Sequence, residues 1–392
     1  MNRKKRKSSK VSQNKIKPKS IIGILTLSKK KSDFFGAKQN FIDIIAKGRQ
    51  FNQEVYVVTT KDLKLNQNKI NGYYYDENQN QWNTKKIPIP SVLYNRISNR
   101  KLESLPETKR LIINCLNHKH IHVFNPFFFN KWSLFKWLRK SKKIKVYVPL
   151  TQKLIGFKEI NNLFKKFDTL YIKPIKGKAG SGIMRIKKNV ESDFTYELKI
   201  QGKKTIGTYQ FNTLQELNKE IKKNIIGGEY IVQQGIELAT NHEHPFDLRV
   251  LAQKNGSGIW NISGIGARVA GEKSITTHVP RGGRIDDPQK LLTSFFGVEE
   301  ATQILQKVRN TTLNICKQIE KASTYQLGEM SMDLGIDKNG GIWFFEANSK
   351  PMKFDEPQIR DQSLVNIIKY SQYLMKHRKN TSTRKLKRRK RN

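Results

Sequence analysis

Two acidic residues near the end of the chain are spaced so that a β-hairpin would bring them face to face. In Ser331-Met332-Asp333-Leu334-Gly335-Ile336 and Ile342-Trp343-Phe344-Phe345-Glu346-Ala347-Asn348, alternating stretches flank Asn339-Gly340, a dipeptide suited to a two-residue hairpin turn. With that loop, Lys338 opposes Gly341, and stepping outward places Asp333 opposite Glu346, with Asn348 on the same face in diagonal reach. Directly opposed Cβ atoms lie about 5 Å apart, so two carboxylates there repel unless a cation sits between them. A few hard oxygen donors suit Mg²⁺, or Mn²⁺, that shares its shell with water and phosphate, which makes Asp333, Glu346 and Asn348 the candidate metal ligands. A solvated polar edge is the competing reading, and the apolar residues of the opposite face argue against it. A one-residue bulge between the turn and the pair would break the register.

A second cluster is Tyr171-Ile172-Lys173-Pro174-Ile175-Lys176-Gly177-Lys178-Ala179-Gly180-Ser181-Gly182-Ile183, a glycine loop between two β-rich stretches. Glycines let main-chain amides approach phosphate oxygens, and Lys173 supplies a point charge to them. Neither the P-loop nor the dinucleotide fingerprint is present, because no helix opens behind the glycines; a strand–loop–strand lid fits better. Taken alone, the loop reads equally well as an ordinary hairpin turn.

The third cluster is Pro245-Phe246-Asp247-Leu248-Arg249-Val250, followed by Thr276-Thr277-His278-Val279-Pro280-Arg281-Gly282-Gly283. Arg249 alternates with apolar neighbours on a strand, which points its planar fork into a cleft where it can stabilise a developing anion. Arg281, beside two glycines, sits on a loop able to close over substrate. The bland alternatives are a cross-sheet salt bridge for Arg249 and a surface turn for Arg281. His278 could serve as base or ligand, but a lone loop histidine is more often neither.

The elements that must hold these groups alternate β and α. The strand Ile21 to Thr26 is followed by a helix carrying Phe41, Ile44, Ile45 and Phe51 on one stripe, then strands at Val55 to Thr59, Tyr73 to Tyr75 and Ser91 to Tyr94, a helix over Glu107 to Leu116, and a strand at Ile121 to Phe124. That is a small α/β domain. Phe128, Trp132, Phe135 and Leu138 follow helical spacing, which favours core packing over a base-stacking surface. Further on, a helix around Phe157 to Phe167 precedes strands at Thr169 to Ile175, Ile183 to Lys187 and Tyr230 to Gln234; Phe246 to Gln253 and Ile259 to Arg268 read as strands, and one long helix lies between Pro288 and Lys321.

Charge separates the body from its ends. Of the net +43, nine cations lie in residues 1–20 and ten in 376–392 with no acid in either run, leaving +24 on the body. Such runs are expected to be disordered and to bind a polyanion such as nucleic acid, anionic glycopolymer or acidic coat protein, unless they merely solubilise or localise the chain. No apolar run reaches the roughly 18 residues that span a bilayer, and Ile21 to Leu25 is too short for a signal-peptide core, so a cytoplasmic protein without a transmembrane segment is expected. Cys115 and Cys316 have no Cys or His at metal-ligand spacing and read as buried structural thiols.

Taken in order, the lysine with its glycine loop, Asp247-x-Arg249 with Arg281-Gly282-Gly283, and Asp333 with Glu346-x-Asn348 resemble the ATP-grasp superfamily. From about Pro149 onward, Lys173-Pro174-Ile175-Lys176-Gly177, Pro245 to Leu251, Gly264 to Gly271 and Phe345 to Pro351 closely resemble the YheC/YheD endospore coat-associated proteins, and more distantly glutathione synthetase and ribosomal-protein glutamate ligases. The resemblance implies α+β subdomains around ATP, with Lys153 and Lys173 on its phosphates and Lys176 with Gly177, Gly180, Ser181 and Gly182 as lid. Gln233, Gln234, Gly235, Ile236 and Glu237 match the adenine hinge and ribose-binding acid, while Asp247, Arg249 and Arg268 match nucleotide-pocket positions. Asp333, Glu346 and Asn348 match the metal ligands. His278 departs from the Asn that related ligases carry before Arg-Gly-Gly, which puts a nucleotide contact there in doubt.

The expected organisation is a basic arm (1–20), an N-terminal α/β domain (21–149), an ATP-grasp domain (150–375) and a basic tail (376–392). The implied activity is ligation of a carboxylate to an amine through an acylphosphate, with Lys173, Arg249 and Arg281 around the transferring phosphoryl group and a location in the cytoplasm or spore coat. The alternatives are a coat scaffold that keeps ATP binding without catalysis, and a polyanion- or nucleic-acid-binding protein.

Overall fold

Every residue of Ile21–Thr26 is buried, as an unbroken apolar run requires of a central parallel strand covered on both faces. It pairs in parallel with Glu54–Thr59 and with Val92–Asn95, and His122–Phe124 extends the sheet. Lys69–Asp76 and Gln81–Pro88 add two antiparallel strands at the other edge, six strands in all. The sequence gives no strand signal at Gln81–Pro88, since it is an edge strand with only Ile87 buried and lacks an apolar alternation. Helix Lys38–Gln50 covers one face with Phe41, Ile44 and Ile45, and Pro106–Asn117 covers the other with Ile112 and Cys115.

The computed structural model describes residues 20–29, 33–176, 182–189, 193–202, 205–272, 274–277 and 282–377. Within it, the second sheet runs in the order Ile206–Phe211, Tyr196–Gln201, Met184–Lys188, Thr169–Pro174, Tyr230–Gln234, Thr151–Leu154. Its outer face is closed by helices Lys158–Phe164 and Leu214–Asn224, through Ile160, Leu163, Leu217 and Ile221. The second of these starts with a capping box, Thr213 and Glu216 satisfying each other's backbone amides.

The third sheet has the order Arg284–Asp286, Trp260–Val269, His244–Lys254, Glu329–Ile336, Ile342–Asn348, all antiparallel. Its back packs on helices Lys131–Arg139, Pro288–Phe296 and Val298–Ser323. The single long helix expected between Pro288 and Lys321 is therefore two, because Gly297 at φ 84° ends one and opens the next in a conformation that glycine tolerates. Leu134, Phe135 and Leu138 enter this core, so the aromatic segment is a packing helix as expected, although Phe128 lies before it.

The last helix, Pro357–Lys376, joins the first and third sheets. Leu364, Ile367, Ile368, Tyr370 and Leu374 enter the core of the first, and Ile359 packs with Leu251 and Phe354 on the third. Between them lies a buried polar junction. Glu329 accepts from Tyr94 Oη at 2.5 Å, Arg96 Nη1 at 3.1 Å and Gln253 Nε2 at 3.2 Å. Burial pushes the Glu329 carboxyl up, and the Arg96 guanidinium holds it down in part. Both cysteines are buried and neither forms a disulfide among the described residues.

Candidate active site

The third sheet turns a polar face toward the second. Asp247, Arg249 and Leu251 alternate onto that face, and the ladder sets Arg249 between Gly266 and Asp333, with Asp333 opposite Glu346. One row along stand Arg268, Asp247 and Gly335; on the other side stand Leu251, Ser331 and Asn348. The expected pairing of Asp333 with Glu346 is present, but by a different route. The turn has three residues rather than two, because Asp337 N donates to Gly341 O at 2.9 Å and Gly340 takes φ 75°. The Asp337 carboxylate fixes that longer loop, accepting from Asn339 N at 2.9 Å, Gly341 N at 2.8 Å and Trp343 Nε1 at 2.7 Å. Leu334 then faces Phe344 instead of Phe345, and a bulge at Phe345 restores the register at Asp333. The two offsets cancel, and the bulge brings Phe345 and Glu346 together onto the cleft wall.

Neither acid stands alone. Arg268 grips Asp247 with Nε at 2.9 Å and Nη2 at 2.8 Å, and the same Nη2 lies 2.9 Å from Asp333 Oδ2. Burial acts to lower the Arg268 pKa, but the two carboxylates outweigh it and raise it. Thr277 Oγ1 adds a hydrogen bond to Asp247 at 2.5 Å. Glu346 meets Lys131 Nζ at 2.7 Å. The repulsion that the sequence implies between opposed acids is thus relieved by Arg268 and Lys131.

Across the cleft, Lys173 donates to Gln233 Oε1 at 2.6 Å and lies over the rings of Tyr171 at 5.2 Å and Phe345 at 5.4 Å. Burial, then the neighbouring Lys131 ammonium, push its pKa down to about 7, with Glu346 pulling the other way. The space between the sheets is about 750 Å³. Gln233, Gln234, Gly235, Ile236 and Glu237 cross from the second sheet to the third along its wall, held by Gly235 N to Thr169 O at 2.8 Å and by Glu237 with Lys338 at 2.5 Å.

The structure does not bring every expected residue to this place. Lys153 shares a row with Ile231 and Lys173 but sits on the sheet edge, ion-paired with Glu229. Lys176 is exposed in the turn after Lys173, and Gly182 has φ 72° before the next strand. Arg249 is half-buried, with its guanidinium 5.2 Å from the Phe354 ring and its Nε buried without a hydrogen-bond partner among the described residues. Gly177, Gly180, Ser181, His278 and Arg281 lie outside the described residues, as do nearly all of both tails.

Lys131 is absent from the sequence-derived site. A signal was available: Lys131, Leu134, Phe135 and Leu138 form one helical stripe, and a cation at the head of a buried stripe calls for a partner. Arg185 and Thr277, also on the cleft wall, carry no comparable signal.

Among the described residues no three His, Cys, Asp or Glu side chains converge. Two carboxylates on facing positions with an amide one row away still fit a hard divalent cation that takes its remaining ligands from phosphate and water.

The YheC/D like ATP-grasp domain description matches residues 120–374. Endospore coat-associated protein YheD of Bacillus subtilis is 28% identical over 325 residues, 81% of this chain and 69% of that protein. YheC of the same organism is 21% identical over 362 residues, 90% of this chain and 95% of that protein. Similar solved structures include the ATP-grasp ligase PsnB complexed with minimal precursor and VanG D-Ala:D-Ser ligase from Enterococcus faecalis, each 12% identical with TM-score 0.51 over 91% of this chain and 99% and 100% of theirs. At that identity they show the fold, two sheets closing on a cleft. With the domain match spanning most of its length and the facing Asp333 and Glu346 at the floor of that cleft, this chain belongs to the YheC/D-like ATP-grasp family.

Proposed function

We propose that this protein is an ATP- and Mg²⁺-dependent carboxylate–amine ligase. The observation that carries the reading is the row Arg249, Asp333, Glu346 across three strands, with Lys131 against Glu346 and Lys173 facing it from the second sheet across a cleft large enough for a nucleotide. Asp333, Glu346 and Asn348 would hold the cation, which when bound neutralises phosphate charge. Gln233 to Glu237 would supply the hinge and polar groups for adenine and ribose, and Lys173 and Lys131, the latter now paired with Glu346, would offer their ammonium groups to phosphate oxygens. A guanidinium next to the metal-binding row suits the charge that develops as the γ-phosphoryl group passes to a carboxylate oxygen and ADP leaves. An amine then attacks the acyl carbon and phosphate departs, with no enzyme nucleophile needed. The chain's part is positioning and charge, with the second sheet excluding water.

The test is ADP release by the full-length protein with Mg²⁺ and pooled carboxylates and amines, followed by product mass. Release that requires both an acid and an amine, and that is lost in Glu346→Gln, supports the ligase. Nucleotide binding by calorimetry without release from any pair would leave a coat scaffold that retains ATP. Polyanion binding through the basic ends is a separate property, seen as a salt-dependent affinity that disappears with both ends removed.

A further inference from the structure

Five of the cations around Asp333 and Glu346 are accounted for inside the fold. Arg268 has Asp247 and Asp333, Lys131 has Glu346, Arg96 has Glu329, Lys350 has Glu103, and Lys173 hydrogen-bonds Gln233 from the nucleotide side. Two guanidinium groups are not. Arg249 flanks the acids from the Asp333 side; Arg100, at the start of the short helix Arg100–Glu103, approaches from the Glu346 side. Arg100 is half-buried, donates to Phe129 O at 2.6 Å, two residues before Lys131, and lies 4.9 Å from the Phe128 ring. Neither guanidinium has a carboxylate within salt-bridge distance among the described residues.

Each is held by an aromatic ring, Phe354 for Arg249 and Phe128 for Arg100. A planar cation fixed on a ring and partly stripped of water, with no ion-pair partner among the described residues, is costly for the empty protein and favourable once an anion arrives. Glu103 cannot serve Arg100, because its oxygens already take Lys350, Asn95 Nδ2 at 3.0 Å and Phe128 N at 3.0 Å. Glu346, the other acid near it, is the one that Lys131 and a cation would share.

We infer that the carboxylate substrate carries a second carboxylate, and that Arg100 of the N-terminal domain reads it while Arg249 faces the reacting one. The substrate class is thus a dicarboxylic acid, free or as the acidic end of a peptide. The inference rests on the ligase reading for which carboxylate reacts, but the preference for a dianion is measurable by itself. Arg100 is here a specificity residue, removed from the phosphoryl transfer.

The experiment is calorimetry on the full-length protein saturated with Mg²⁺ and a non-hydrolysable ATP analogue, titrated with glutarate and pimelate and with their half-amides. Each pair matches in shape and differs by one charge. The better of the two diacids is expected to bind about ten- to a hundredfold tighter than its half-amide, the range of one charge-assisted bidentate contact. Arg100→Gln should abolish that ratio and leave half-amide affinity unchanged, and Arg100→Lys, which keeps charge but loses the stacked plane, should restore part of it. Equal binding of diacid and half-amide by the native protein overturns the proposal. So does a ratio that survives in Arg100→Gln with a native melting temperature. Should a monocarboxylate support ADP release with no dianion preference, this inference falls and the ligase stands. Should the Arg100-dependent preference appear with no ADP release from any acid and amine, the dicarboxylate site stands and the ligase reading falls.

Discussion

The two sheets that face each other across the cleft solve the problem of buried charge in opposite ways. On the third sheet, every acid of the cleft floor has a basic partner from the chain: Asp247 and Asp333 share Arg268, and Glu346 has Lys131. On the second sheet, Lys173 faces the same space against an amide oxygen and two rings, with no ion-pair partner among the described residues, and Arg185 leans on Glu197 at 2.9 Å. The third sheet is also fastened to the N-terminal domain through the last helix and the Glu329 junction, whereas the second joins the third through the hinge, a few polar contacts and the apolar pair Ile175 and Ile231. The lesson is that the acids of the floor are cross-linked internally, whereas the cations left for a ligand, Lys173 on the second sheet and Arg249 on the third, have no ion-pair partner among the described residues.

The largest break in that comparison comes from its floor. Glu346→Gln or Asp333→Asn should lower Mg²⁺-dependent ADP release by about 10²–10³-fold, the scale of one lost electrostatic stabiliser, while circular dichroism stays native. Arg268→Met should come next. It leaves Asp247 and Asp333 buried without a cation, and a buried network that loses one partner costs about 3–5 kcal/mol, read from the urea midpoint. Lys153→Met, which removes a surface pair, should move the same midpoint by less than about 1 kcal/mol.

The second sheet should be separable from the first two by pH. Lys173 loses its proton as pH rises through about 7 in the folded protein, but the unfolded chain keeps it to 10.5. Between those values the unfolded state binds more protons, so this lysine's share of stability grows with pH. Nucleotide affinity should run the opposite way, falling by up to about tenfold per pH unit above 7, because phosphate needs the ammonium. Lys350, pushed down to about 8 by burial with Glu103 opposing, moves stability in the same direction, so the assignment rests on Lys173→Met flattening the affinity profile. An affinity indifferent to pH between 6 and 9 would deny Lys173 its role.

Gly266→Ala probes the strap that carries Phe354. A Cβ there would run into Glu356 Oε1, which lies against the strand beside Arg249. Glu356 can swing its carboxylate aside, so the expected loss is below about 1 kcal/mol by melting temperature with nucleotide affinity intact, and a larger loss would mark residues 349–356 as part of the rigid sheet.

What the sequence disclosed follows the same division. Asp333 and Glu346 were legible because turn residues and apolar alternation are local signals, and they survived two local errors that cancelled: an Asp337-built three-residue loop and the Phe345 bulge. Gly297 reads as an ordinary glycine inside a helical pattern, and Gln81–Pro88 as a loop, because a cap and a polar edge strand are settled by neighbours distant in sequence. Arg268 came from family resemblance, and its double grip on Asp247 and Asp333 is a property of three strands at once. Lys131 showed locally only that it needed a partner, and the partner, Glu346, lies 215 residues away; Arg100 carried no local signal at all.

The smallest expected effect tests how the two sheets touch at the far side of the cleft. Gln201, buried at the end of Tyr196–Gln201, accepts through Oε1 from Ser274 Oγ at 3.2 Å and Ile275 N at 3.1 Å, so one amide ties the second sheet to the loop that leads from the third sheet toward Arg281. Gln201→Ala removes an acceptor but leaves the loop reachable by water, which limits the stability loss to about 1 kcal/mol. The two sheets should then separate more readily, and the rate of nucleotide release should rise a few-fold while the association rate holds, since steering depends on the cleft's charge, which is unchanged. Stopped-flow release of a fluorescent ATP analogue reads this directly. A release rate equal to the native one would mean that the Gln201 amide does not restrain the second sheet, leaving the Gln233–Glu237 hinge and the apolar contact of Ile175 and Ile231 as what holds it to the third.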